Sequence, residues 1–480
     1  MVFSSPIFLF IFLPLTLGLY YLLPRAAKNI FLLLASLVFY AWGEVFFVLV
    51  MLASISFNYL FGRLIGGSAS AQSKTLALAA GITVNLGLLA YFKYANFIVE
   101  NLGQAGLVSI EGWTPVHLPL GISFFTFQAM SYLVDVYRGE NRAQHNPVNV
   151  ALYIALFPQL IAGPIVRYHD IATQIRDRVI NLLLVNSGIQ RFIYGLAKKV
   201  LIANPLGLVA DQVFALSGGD LSTGVAWLGL ACYTLQIYFD FSGYSDMAIG
   251  LGRMLGFRFL ENFNYPYIST SIKEFWRRWH ISLSSWFRDY LYIPLGGNRK
   301  GSLRTYANLL IVFCLCGLWH GASWTFLVWG VFHGAFLALE RTRFGTLLGM
   351  MPALMRHVYT LLVVMAGWVF FRTESMGEAI QFFRALAGLS AAAGGEHSLT
   401  HFLDIKVAFL VITGAVLATP LATRVNGFLL KLSRNQYAVF SGPGAVAYSL
   451  ANVLVLVFLF LLSLTAIASN AYNPFIYFRF

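Results

Sequence analysis

Two histidines stand where proton transfer would be useful. In "CLCGLWHGASWTFLVWGVFHG" (314–334), His320 lies between Trp319 and Gly321 in an otherwise apolar run. An ionisable side chain inside a segment of that kind is costly in a bilayer and marks a functional position by default. Imidazole, with an unperturbed pKa of ~6.5, takes and returns a proton near neutral pH. Gly321 beside it would leave the backbone open to a close approach by substrate. The second, His280, sits in "EFWRRWHISLSSWFRDYLYIPLGG" (274–297), four residues after Trp276 and three before Leu283. Read from its own segment alone, it is an aromatic-belt histidine of an interfacial helix. Any chemistry at His280 depends on what meets it.

His333 repeats the His-Gly pair thirteen residues after His320 and reads as a packing histidine hydrogen-bonded to a neighbour. His117, His145, His169, His357, His397 and His401 fall in or beside loops without metal-ligand spacing, so no metal is expected. Cys232, Cys314 and Cys316 all lie in apolar runs and read as small buried hydrophobes. There is no Walker loop; "GLGRMLG" (250–256) misses the dinucleotide pattern by one position, and "GYSDM" (243–247) lacks the closing glycine of a nucleophile elbow. Nucleotide hydrolysis and serine-esterase chemistry are disfavoured, and no bound cofactor is expected.

The elements that must position these side chains are set by composition. With 59% hydrophobic and 11% charged residues, a mean hydropathy of +0.72 and recurrent apolar runs longer than about 18 residues, the chain reads as an all-α polytopic integral membrane protein. Apolar segments from 6–23 through 446–468 predict about 11–13 transmembrane helices plus interfacial or re-entrant ones. The first 28 residues lack a basic n-region and read as a retained first helix. The polar breaks at 135–147, 167–181, 252–302 and 374–402 are too short for a soluble domain, so 1–480 is expected to be one integral membrane domain. The net charge of +13 suits cytoplasmic loops, with Arg25, Lys28 and the 63–74 loop inside and the amino terminus outside. Nucleic acid is not needed to explain the surplus; membrane lipid or an anionic substrate are its other uses.

In the longest break, Ile272, Trp276, Trp279, Leu283, Phe287 and Tyr290 recur at three- and four-residue intervals. This predicts one continuous amphipathic helix lying in the interface, aromatic side toward the bilayer, with Lys273, Glu274, Arg277, Arg278, Ser284 and Arg288 toward headgroups or water. Asp240 and Asp246 in "YFDFSGYSD" either brace helices by pairing with Arg253 or Arg258, or line a channel and orient an acceptor.

The stretches "YFDFSGYSDMAIGLG" (238–252), "NFNYPYISTSIKEFWRRWHISLSSWFRDYLYIPLGGNRKG" (262–301) and "GLWHGASWTFLVWGVFHG" (317–334) resemble the core of the membrane-bound O-acyltransferase family. With "MVFSSPIFLFIFLP", "YFKYANF", "GISFFTFQAMSYLVDVYRG", "FPQLIAGPIVR" and the terminal "NPFIYFRF", the whole chain is similar to the bacterial branch that O-acetylates alginate at the inner membrane. Relatives acting on cellulose or other exopolysaccharides share these signatures. The resemblance implies a helical ring around a thinned centre, with a catalytic core about 115–345, where a cytosolic donor channel meets an external acceptor channel. It places the catalytic positions on His320 and His280. It turns Lys273, Arg277, Arg278 and Arg288 toward the phosphates of the donor, acetyl-coenzyme A; Asp240, Tyr244, Asp246 and Trp319 are the candidates for lining the channel. It also implies periplasmic or membrane-anchored acetyltransferase partner proteins, with the polysaccharide as final acceptor. A transporter would instead show inverted repeats, and none is evident; a scaffold would not need His320 in its apolar segment.

Overall fold

The computed structural model describes residues 1–216, 220–390, 398–433, 443–469 and 472–473; His397 and all of "NPFIYFRF" after its first residue lie outside the described residues. The described residues form helices and loops, with no strand among them. Six helices are long and apolar enough to cross a bilayer: Val48–Gly67, Ala71–Gln104, Leu182–Phe214, Ser302–His320, Ala353–Arg372 and Val446–Ser469. Three shorter apolar helices, Phe8–Leu22, Trp324–Leu339 and Ile405–Leu417, accompany them. Large apolar side chains such as Phe10, Leu60, Leu303 and Phe458 are left exposed around the outside, as a lipid-facing surface requires. The chain is a multi-pass membrane protein.

Not every apolar segment becomes a straight span. The 148–166 segment divides into Pro147–Ala155 and Phe157–Leu160, where Pro158 cannot extend the preceding hydrogen-bond ladder. The 223–251 segment lengthens into the largely buried 32-residue helix Thr223–Met254, which carries both Asp240 and Asp246. The amino-terminal segment joins the core: Phe3 stacks on Tyr244 at 4.6 Å, and Phe12 meets Phe157 edge-on at 5.3 Å.

Ser302–His320 and Trp324–Leu339 form a tight hairpin. A Cβ on Gly317 would lie 2.2 Å from the Phe326 carbonyl oxygen, and one on Gly330 2.2 Å from that of Phe313. The two backbones therefore touch at these glycines, which fixes the end of the 302–320 helix against its partner.

The expected interfacial helix over 272–290 is corrected. The chain forms two short helices, Ile272–Arg278 and Ile281–Phe287, separated at Trp279 and His280. The aromatic stripe faces protein: Trp276, Trp279, Leu283 and Phe287 are all buried. Trp279 packs on Phe275 and Trp368, and Trp276 packs edge-on against Phe313 and Trp329. Aromatic partners from three other elements outcompete lipid for this face.

Outside the spanning segments, Asp135 accepts hydrogen bonds from Tyr290 Oη (2.6 Å), His169 Nδ1 (3.0 Å) and the His169 backbone N–H (3.0 Å). Arg167 bridges Asp170 (2.9 Å) to Asp289 (2.5 Å) alongside. Asp135, Glu140 and His169 bring together side chains of metal-binding type that no sequence spacing signalled, but they are engaged with one another and with Tyr290. The Asp135 hydrogen bond holds the His169 imidazole above its ordinary value, despite opposing burial. A raised folded value means stabilisation fully present below about pH 6.5 and lost as pH rises through the folded value. The thermal midpoint of the wild type should therefore fall between pH 6 and pH 9 by more than that of His169→Gln; parallel curves would remove this interlock from the pH response.

Candidate active site

His320 is the last residue of its helix, and Gly321 continues as extended chain. Its imidazole is caged edge-on by Trp319 (5.0 Å between ring centroids), Trp329 (5.1 Å) and Phe371 (5.2 Å). The space beside Gly321 is filled: a Cβ there would stand 2.1 Å from the Phe326 ring. That glycine serves packing, in place of the open approach expected of it.

His280 is brought to the same place by its backbone. It adopts the left-handed conformation, φ 43°, which costs a non-glycine residue about 1–2 kcal/mol and persists only when the surroundings over-determine it. Here they do. The 262–264 stretch runs along the break, with the Ile281 N–H donating to Asn262 O and the Asn264 N–H to Arg278 O, both at 2.9 Å. Asn262 Oδ1 accepts from the Ser282 N–H (3.1 Å) and Oγ (2.9 Å), and faces His280 Nδ1 at 3.2 Å. Ser282 Oγ in turn accepts from the Ile165 N–H at 3.0 Å. An oxygen already receiving two donors cannot meet a lone pair, so the network assigns the proton of neutral His280 to Nδ1. Nε2 is then a hydrogen-bond acceptor, buried and without a protein partner among the described residues. The two imidazole centroids are 6.4 Å apart, with Phe241 edge-on to His280 at 4.6 Å.

A cavity of about 570 Å³, a volume typical of small-molecule sites, is lined by Ile281, the residue after His280, and by Cys316 of the helix that ends at His320, but neither histidine is part of its lining. Exposed Lys273, Arg277, Arg288 and Arg341 surround its mouth, and its walls climb the 302–320 helix past Leu309 and Phe313 to buried Cys316. His320 lies one helical turn further, a rise of about 6 Å, and helical side chains lean back toward the preceding turn. Lys273, Arg277 and Arg341 make no ion pair among the described residues, whereas Arg288 pairs with Asp289 at 2.7 Å. Arg278 turns away from the cavity; it donates to Glu274 (2.9 Å) and to Asn264 O (3.0 Å), clamping the break at His280. Glu340 anchors the same wall by accepting the backbone N–H groups of Ile272 (2.6 Å) and Lys273 (3.1 Å).

The other candidate residues are placed as follows. Asp240 pairs with buried Lys199 at 2.6 Å, and Asp246 with Lys198 and Arg191, each at 2.6 Å. Neither takes Arg253 or Arg258, as the sequence suggested; Arg253 goes to Glu261 at 3.7 Å. Asp240, Tyr244 and Asp246 are not part of the cavity lining. Trp319 packs between Phe124 (5.2 Å) and Phe127 (5.4 Å) and touches both histidines. His333 is buried and accepts from Trp276 Nε1 at 3.4 Å. Sequence reasoning passed over Asn262, Phe241 and Lys93, each visible only inside a longer quoted motif.

Residues 68–372 match the profile of the MBOAT, membrane-bound O-acyltransferase family. The chain is 45% identical to a protein of Azotobacter vinelandii named probable alginate O-acetylase AlgI, and 42% identical to its namesake in Pseudomonas aeruginosa, in both cases over the full length of both chains. It is 37% identical to a peptidoglycan O-acetyltransferase of Helicobacter pylori, over 82% of this chain and 81% of that one.

Proposed function

The chain belongs to the membrane-bound O-acyltransferase family, and from that premise we propose that it passes acetyl from cytosolic acetyl-coenzyme A to an exopolysaccharide, alginate, outside a bacterial inner membrane. It is an O-acetyltransferase, and its relatives point to a polysaccharide as what is O-acetylated. The observation that carries the finer reading is a pair of buried imidazoles 6.4 Å apart, with His320 one helical turn beyond Cys316 and His280 next to Ile281, two residues that line a cation-rimmed cavity. Lys273, Arg277 and Arg341, which make no ion pair among the described residues, suit the phosphates of a coenzyme A thioester, and a mouth rich in cations suits the cytosolic face.

In this reading His320 is the general base. It takes the acceptor hydroxyl proton as that oxygen attacks the thioester carbonyl; the C–O bond forms, the C–S bond breaks, and the proton passes to the departing thiolate. Attack and proton transfer must coincide, so base and acceptor have to be held at hydrogen-bond distance. His280, fixed through Nδ1–H, offers an acceptor at Nε2, which suits orienting a hydroxyl or an amide N–H. It becomes a donor to the thiolate only after taking a proton. Asp240 and Asp246 brace helices through Lys199, Lys198 and Arg191. The first external acceptor is a hydroxyl of a periplasmic or membrane-anchored acetyltransferase partner, which then decorates the polymer.

Membrane vesicles of the native host, given acetyl-labelled acetyl-coenzyme A, should place label on alginate. Label on peptidoglycan instead would assign the other polymer, and no consumption of the thioester would sink the reading. Arg277→Ala with Arg341→Ala should raise the apparent Michaelis constant for acetyl-coenzyme A about tenfold while lowering turnover less, because lost phosphate contacts are lost uniform binding. An unchanged constant in folded protein would reassign these cations to lipid headgroups.

A further inference from the structure

We propose that Lys93 is a positioning residue for the reaction: its ammonium group caps the helix end that carries His320 and so fixes where the imidazole stands. The inference rests on reading His320 as the base.

Lys93 lies in "YFKYANF", inside the long Ala71–Gln104 helix, where Ala90–Tyr94 widens into a π turn. Such turns interrupt regular helical pairing and gather at functional sites. Lys93 is buried. Its Nζ donates to Trp319 O and to Ser123 Oγ (3.1 Å), and reaches His320 O at 3.4 Å. The next residue, Tyr94, donates its hydroxyl to Leu318 O at 2.8 Å. Two adjacent side chains thus meet three consecutive carbonyls more than 220 positions away in sequence. No carboxylate pairs with Lys93 among the described residues.

A buried cation without a counter-ion is expensive inside a membrane protein, and packing alone would be served more cheaply by methionine. The charge has a physical use here. The last carbonyls of a helix lack intrahelical partners and carry partial negative charge. The 302–320 helix ends with the Gly321 N–H bonding back to Gly317 O, after which the chain is extended. Leu318, Trp319 and His320 have no further turn to receive their bonds. An ammonium group satisfies several acceptors at once and complements the dipole. Because His320 is the terminal residue, where helices ordinarily fray, pinning those carbonyls sets the position of the ring. Gly317 and Gly330 fix one side of this helix end, and Lys93 with Tyr94 fix the other.

The test uses the full-length protein in membranes of its native host, with acetyl-coenzyme A as donor. Lys93→Met keeps the length and apolar stem of the side chain. It should lower turnover on the order of 10²-fold, the cost of misplacing a catalytic group by about 1 Å, with the donor Michaelis constant within about threefold of wild type. Lys93→Arg, restoring charge and donors, should recover about a tenth of wild-type turnover or more. Wild-type turnover in Lys93→Met overturns the proposal. So does loss of folded protein in proportion to activity with no recovery in Lys93→Arg, which would make the residue merely structural. If Lys93→Met does not fold, Tyr94→Phe and Ser123→Ala each remove one bond at the same place. Reduced turnover at unchanged donor constant supports the positioning role, and wild-type turnover in both overturns it. His320→Ala is measured alongside. Activity there would remove the premise; inactivity there with full activity in Lys93→Met would remove only the role of Lys93.

Discussion

His320→Ala is expected to transfer no measurable acetyl to polymer while still inserting and folding. A general base contributes about 10²–10⁴-fold in rate, and His280, with its ring centroid 6.4 Å from that of His320 and its Nδ1 held on Asn262, is not placed to stand in for a ring caged by Trp319, Trp329 and Phe371. Truncation leaves a void among those rings, so activity has to be expressed per folded molecule, with His320→Asn as a variant that fills more of the space. His333→Ala is the control. That side chain is buried among aromatic rings and hydrogen-bonded to Trp276, so its loss should lower the thermal midpoint and spare activity per folded molecule. Wild-type acetylation in His320→Ala would end the assignment; an inactive His333→Ala beside an active His320→Ala would show that the other His-Gly pair does the chemistry.

His320 stood out in the sequence because an imidazole in an apolar run is costly and needs a reason, whereas His280, in a polar segment, read from that segment alone as an aromatic-belt histidine. The helical class and the cations Lys273, Arg277 and Arg288 that border the cavity were legible for related reasons, since hydropathy and interfacial charge are local properties. What sequence did not reveal is long-range or conformational. The 272–290 stripe has the same spacing whether the helix is continuous or broken at one left-handed residue, so periodicity could not show the turn that delivers His280. Asp246 and Arg253 share a helix face, but two turns separate them by about 10.5 Å of rise; the cations that meet Asp246 come from another helix, at Lys198 and Arg191. Lys93 and the end of the 302–320 helix are joined across more than 220 residues, a distance over which no periodic pattern speaks.

Substitutions at His280 can separate its backbone role from its chemical one, because the two favour different residues. A position at φ 43° is best filled by glycine and tolerably by asparagine, and poorly by alanine. His280→Gly should therefore fold at least as well as His280→Ala and show the higher thermal midpoint of the two. Chemistry gives another order. Nε2 is the acceptor that the Asn262 network leaves presented, and losing an orienting hydrogen bond of this kind typically costs ~10²–10³ in rate. Asparagine keeps an amide at the depth of Nδ1, able to hold the Asn262 contact though short of Nε2, and glycine keeps no polar group at all. Acetyl transfer per folded molecule should fall from wild type to His280→Asn, then to His280→Ala and His280→Gly together, with His320→Ala lowest. If the residue were only a hinge, activity would follow the backbone order and His280→Gly would be the most active variant. Full activity in His280→Gly would thus leave the left-handed turn as the sole reason for this residue and His320 as the only histidine at the reaction centre.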